Sequence, residues 1–176
     1  MSNILIGIGG GIAAFKVAAL TSHLAQAGHD VRVAMTSAAR EFVGARTFEG
    51  LTGHQVIASS TQVDRDGAVP HIEATLAADL FVIAPCTADL IAKLAAGTCD
   101  DPVTLAAVIF KGKKMICPAM NDAMWESPVV QRNVETVRGL GFEIVGPVVG
   151  HLAEGYDAIG RMLEPEQIHQ EIQSRL

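Results

Sequence analysis

At 176 residues and a formal net charge of −6, the chain has one domain's worth of length and enough of it to bury a core. Nearly half of it (49%) is hydrophobic and only 18% is charged, which excludes a disordered chain. The one basic cluster, Lys111-Gly112-Lys113-Lys114, is too small to neutralise a nucleic-acid backbone, and no apolar run is long and unbroken enough to span a membrane. The expectation is a small-molecule protein of the cytoplasm, without nucleic-acid or membrane partners.

The elements follow in chain order. "NILIGI" is a continuous apolar run suited to a central parallel strand buried on both faces. No basic residue precedes it, so the apolar start reads as a strand entering a loop and not as a secretion signal. A glycine-rich turn leads into a helical pattern ending at Gly28, "VRVAM" predicts a second strand, and Ala38 opens another helical stretch. Residues 52–71 carry one short apolar piece, Val56-Ile57-Ala58, in polar, turn-rich sequence and predict a long surface loop. "IEATLAA" predicts a short helix and "DLFVIAP" a strand closed by Pro85. Helices over "CTADLIAKLAAG" and "PVTLAAVIF", a strand in "KKMIC", a helix over "SPVVQRNVETVRGLG" and a short strand "FEIVG" come next. Residues 147–162 read as a loop before a closing helix from about Pro165. The alternation predicts a single α/β domain, a Rossmann-like, doubly wound parallel sheet.

Ligands of such sheets sit outside the carboxyl ends of the strands. That rule selects four loops: Gly9 to Gly11, Thr36-Ser37, Ala84 to Thr87, and Pro118 to Met124. Glycines on a strand-to-helix turn let backbone N–H groups approach an anion at the helix N-terminus. Positions 7, 9 and 12 are Gly, Gly and Ile, so the third glycine of the dinucleotide fingerprint is missing. A tight turn packed on the sheet explains the same glycines equally well. Thr36, Ser37 and Thr87 each suit a helix cap or a phosphate contact. His71 follows Pro70 and opens a helix after the long loop. Neutral Asn121, between Met120 and Met124, can bind a carboxylate without fixing it by charge, which suits a carboxylate that leaves as carbon dioxide; a turn or cap is its other role. Three cysteines, Cys86, Cys99 and Cys117, in no metal-ligand spacing, read as reduced thiols, and no metal site is expected.

"GGGIAAFK", "HIEATLAADLFVIAPCTADLIAKLAAGTCDD", "PAMNDAMW" and "GRMLEP" together resemble the homo-oligomeric flavin-containing cysteine decarboxylase family nearly end to end. The resemblance implies a flavodoxin-like fold over residues 1–176 that binds FMN. It places Gly9, Gly10, Gly11, Ile12 and Ala13 at the flavin phosphate, with Thr36, Ser37, Ala84, Pro85, Cys86, Thr87 and Met120 around the cofactor. It implies His71 as the active-site base, serving a neighbouring subunit's flavin in a homotrimer or a trimer-based dodecamer. Asn121 would hold the substrate carboxylate, with Met124, Ala153, Arg161 and Met162 also on the substrate.

The expected reaction is decarboxylation of 4'-phosphopantothenoylcysteine to 4'-phosphopantetheine. Oxidative decarboxylation of a C-terminal peptide cysteine, stopping at an enethiol, and a flavin-binding regulatory protein without turnover are the alternatives. In "HLAEGYDAIGRM" the family's usual proton-donating cysteine is replaced by Glu154. Glu154 is then the expected acid, and Tyr156 a second donor.

Overall fold

Two strands, β1 (Asn3–Ile8) and β3 (Leu80–Cys86), form the centre of the sheet, because their runs of Ile, Leu, Val and Phe are apolar on both faces. A computed structural model describes residues 1–64 and 66–176. Arg65, inside the expected long loop, lies outside the described residues. With β2 (Asp30–Met35), β4 (Lys113–Pro118) and β5 (Phe142–Ile144), the centre completes a five-stranded sheet in the order β2-β1-β3-β4-β5. Every pairing in it is parallel. This is the flavodoxin-like order, with its switch point between β1 and β3.

Side chains alternate across the strands and feed two cores. Ile4, Ile6 and Ile8 join Val17, Leu20 and Leu24 of α1 (Ala14–Gln26). That layer also takes Phe48 of α2 (Ala45–Thr52) and Ile168 and Ile172 of α8 (Pro165–Gln173). Leu5, Phe81 and Ile83 face the other layer: α3 (Pro70–Ala77), α4 (Ala88–Ala96), α5 (Pro102–Ile109) and α7 (Pro128–Gly139). Each fully buried Leu, Ile or Phe contributes about 1.5–3 kcal/mol. Gly7 is required between these layers, since a Cβ there would sit 2.7 Å from Val103 Cγ1. Among the described residues no helix is long and apolar enough to cross a membrane.

Four local expectations are corrected. The helical stretch expected from Ala38 is a 3-10 turn, Ala38–Glu41, and α2 begins only at Ala45. β3 does not stop at Pro85 but runs through Cys86, with a register slip between Ile83 and Cys86. The slip puts Cys86 on the same face as Phe81 and Ile83. Within the expected long loop, Ile57 is buried and pairs with the edge of β2, donating to Val33 O (2.9 Å) and accepting from Met35 N (3.0 Å). Residues 147–162 are not an open loop: β6 (Val148–His151) and β7 (Asp157–Arg161) form an antiparallel hairpin. Pairing with each other, and not burial, makes them strands, since most of their residues are exposed or half-buried.

Candidate active site

The carboxyl edge of the sheet opens into a cavity of about 650 Å³, within the usual range for ligand sites. Four segments wall it: the β1–α1 turn, the start of α4, the exit of β4 and the β6–β7 hairpin. The last two are tied together, as Met120 N donates to Gly160 O at 3.0 Å. Gly160 has φ +132°, and a Cβ there would lie 2.2 Å from Met120 O, so this contact requires glycine.

The β1–α1 turn contributes Gly10, Gly11, Ile12 and Ala13 to the wall. Ala13 caps α1 without a side-chain bond, and the first helical amides, Ala14, Phe15 and Lys16, bond back to Gly11, Ile12 and Ala13. The N–H groups of Gly10, Gly11, Ile12 and Ala13 donate to no acceptor among the described residues. Four free amides at a helix start, on a cavity wall, suit a phosphate. Of the two roles weighed for these glycines, close packing of the turn is visible directly. A Cβ on Gly9 would meet Pro85 O at 2.5 Å and one on Gly10 would meet Ala38 Cβ at 2.3 Å, so these two are glycines because the turn packs tightly.

Other candidates divide between wall and interior. Thr87 lines the cavity and caps α4, its Oγ1 accepting from Leu90 N. Gly9, Thr36, Ser37, Ala84, Pro85 and Cys86 do not line it. Thr36 is buried, its Oγ1 accepting from Ala39 N (3.1 Å), while Ser37 is exposed and makes no cap bond. Pro85 O and Cys86 O accept from Gly9 N and Ala119 N, both at 3.1 Å, stitching three loops together. Burial pushes the Cys86 thiol well above its ordinary pKa and Cys117 up to about 12, so neither supplies a thiolate. Met120, Met124, Ala153 and Met162 all line the cavity. His71 does not; it is buried at the start of α3, and its Nδ1 has no partner among the described residues.

The polar end of the cavity centres on Asn121. Its Oδ1 accepts from Ala123 N (2.9 Å), capping the short helix α6 (Asp122–Trp125). That bond sets the amide's orientation. Nδ2 then donates to Glu154 Oε1 (3.1 Å) and to Tyr156 Oη (3.0 Å). The Tyr156 phenol in turn donates to Asp122 Oδ1 at 2.7 Å. The bond to Asp122 raises the Tyr156 pKa above the ordinary phenol value, and the same bond lowers that of Asp122. Asp122 was missed from sequence, although it directly follows Asn121; only its contact with a residue 34 positions away reveals it.

A second polar cluster lies where the hairpin meets α1. Lys16 Nζ stands 2.9 Å from Glu164 Oε1, and Arg161 Nη2 bonds the same oxygen. Both cations line the cavity and share one carboxylate. The Lys16 hydrogen bond, with help from Arg161, lowers the Glu164 pKa. Nothing in the sequence pairs these three, and Glu164 otherwise reads only as a residue before a proline.

The flavoprotein family profile matches residues 1–176. The coenzyme A biosynthesis bifunctional protein CoaBC of Bacillus subtilis (strain 168) is 41% identical over 166 residues, 94% of this chain and 41% of that protein. CoaBC of Vibrio vulnificus (strain YJ016) is 42% identical over 165 residues, again 94% of this chain and 41% of the relative. The chain thus spans about two fifths of the length of the curated relatives it matches. Among solved structures, a PPC decarboxylase variant complexed with pantothenoylaminoethenethiol superposes with a TM-score of 0.84 at 27% identity, covering 97% of this chain and 96% of that one. The FMN-dependent cysteine decarboxylase SpaF gives 0.83 at 30% identity, covering 99% and 97%.

Proposed function

This chain belongs to the flavoprotein family, and from that premise we propose that it is an FMN-dependent decarboxylase converting 4'-phosphopantothenoylcysteine to 4'-phosphopantetheine, a step of coenzyme A biosynthesis in the cytoplasm. The observation that carries this reading is Asn121: a neutral amide at the cavity's polar end, its orientation set by Ala123 N and its two N–H groups turned to oxygen acceptors. The likeness to CoaBC and to a PPC decarboxylase supports the choice of substrate.

FMN fits the residues present. The free amides of Gly10 to Ala13 would take its phosphate, and Thr87, Ala119 and Met120 would line its ring. Bound there, it would supply reversible hydride acceptance, the electron sink that a cysteine carboxylate otherwise lacks on losing carbon dioxide.

The chain's own residues do the rest. Asn121 orients the carboxylate by hydrogen bonds alone, so no cation must be pulled away as the charge departs. Met120, Met124 and Met162, with Ile12 and Leu152, give the site apolar walls that favour loss of the carboxylate's charge. Lys16 and Arg161 offer positive charge for the substrate phosphate. The proton that completes the product comes from the hairpin, where Glu154 and Tyr156 both stand within hydrogen-bond distance of Asn121. His71 acts as the base from a neighbouring subunit, in a homotrimer or a dodecamer built from trimers.

Mass spectrometry after incubating FMN-loaded protein with 4'-phosphopantothenoylcysteine tests the reading. A product lighter by carbon dioxide alone is expected. A product that also lacks two hydrogens, with the flavin left reduced, moves the assignment to the peptide-cysteine type of reaction. A colourless protein that takes up no added FMN overturns both.

A further inference from the structure

Both N–H groups of Asn121 are already occupied, by Glu154 and Tyr156, and no substrate is needed to satisfy them. The amide cannot turn to offer more, because Oδ1 is committed to Ala123 N as the cap of α6. A substrate carboxylate that binds Asn121 must therefore displace one of the two acceptors. Tyr156 is the better anchored, being held also through its own donation to Asp122 Oδ1. Glu154 makes no other hydrogen bond or ion pair among the described residues. It rides on the exposed turn of the hairpin, next to Gly155 at φ +92°, where an added Cβ would meet nothing within 4 Å. Glu154 also carries the chemical group that the substrate brings.

We infer that Glu154 is a specificity-determining stand-in for the substrate carboxylate: it occupies Asn121 in the empty site, yields to a carboxylate-bearing ligand, and returns once that carboxylate has left. This rests on the reading of Asn121 as the carboxylate holder. Its consequence is discrimination between two otherwise similar ligands. Substrate must compete with Glu154 for the amide. Product, which has no carboxylate, binds without contesting the amide and meets a hairpin already closed by the Glu154 contact.

Binding to the FMN-loaded protein tests this without turnover. The two probes are 4'-phosphopantothenoylserine, whose hydroxyl replaces the reactive thiol, and 4'-phosphopantetheine, each titrated by calorimetry. Glu154→Ala should bind the serine compound roughly five- to tenfold more tightly than the unaltered protein, the scale of one ordinary hydrogen bond lost from the competition. Its affinity for 4'-phosphopantetheine should not improve. Glu154→Gln, which keeps an acceptor but drops the charge, should fall between for the serine compound. Equal affinities of the unaltered protein and Glu154→Ala for the serine compound overturn the inference, as does an equal shift for both ligands, which marks a structural effect on the hairpin. Asn121→Ala separates the two levels. Weakened binding of the serine compound there upholds Asn121 as the holder, whatever Glu154 does. Unchanged binding overturns that reading and the inference with it.

Discussion

Tyr156 is the chain's only tyrosine, so a tyrosinate signal belongs to it alone. Its phenol donates to Asp122, and ionising it would place a phenolate against a carboxylate; its pKa is raised for that reason. A raised phenol pKa means stabilisation that is fully present below the unfolded value and lost as pH rises through the folded one. The lowered pKa of Asp122 has the opposite sense: its contribution is present above the unfolded carboxylate range and lost as pH falls through the folded value. The pair therefore persists across the neutral range. In a titration followed by tyrosinate absorbance, Asp122→Asn should move the Tyr156 transition down toward the ordinary phenol value. An unmoved transition would mean that Asp122 does not hold the proton. The partnership is invisible in sequence, although its first member adjoins Asn121, because hydrogen bonding at this range depends on where the hairpin folds.

The elements that build the site differ in how plainly the sequence announces them. Strands β1 and β3 are legible because both their faces are buried, and helices α5 and α8 because proline opens them with a polar capping residue just before. Asp101 Oδ1 accepts from Val103 N (2.8 Å) and Thr104 N (3.0 Å), closing a capping box. Asp101→Ala should cost about 1 kcal/mol, seen as a fall in melting temperature of about 2–4 °C, and a change within error would discount the cap. The β6–β7 hairpin has no such signal: its strands are short, half-exposed and interrupted by Gly150 and Gly160. Yet Gly160 is where the hairpin docks on the β4 exit. Gly160→Ala should push β7 off Met120 and separate Glu154 and Tyr156 from Asn121. The expected result is an intact sheet by circular dichroism with turnover reduced on the order of a hundredfold. Full activity in that variant would mean the site does not need the hairpin's position.

Across the whole molecule, one proposed participant stands apart. Asn121 and Glu154 line the cavity and Tyr156 bonds to Asn121, whereas His71 is outside that lining. If a second copy supplies His71, variants defective in different halves of a site must rescue one another. Co-assembly of His71→Asn with Asn121→Ala, each inactive alone, should restore activity in about a quarter of the sites at equal mixing, as for any two-subunit site in a cyclic oligomer. No recovery from verified mixed oligomers would place both residues in the same subunit's site.

The chain order of the five strands of the main sheet, the doubly wound class, the glycine turn and the Asn121 segment were all readable from the chain. Each is written in a short window, as an apolar period, a cap or a turn residue that acts over a few positions. Only the tertiary structure decided that residues 147–162 hold the β6–β7 hairpin and that Lys16 and Arg161 share Glu164. It alone showed that Glu154 sits on Asn121 and that Asp122 holds Tyr156. These contacts join polar residues on different elements. Their meeting is set by how the buried faces of those elements pack, and a polar side chain carries no periodic mark of the partner that packing will bring to it.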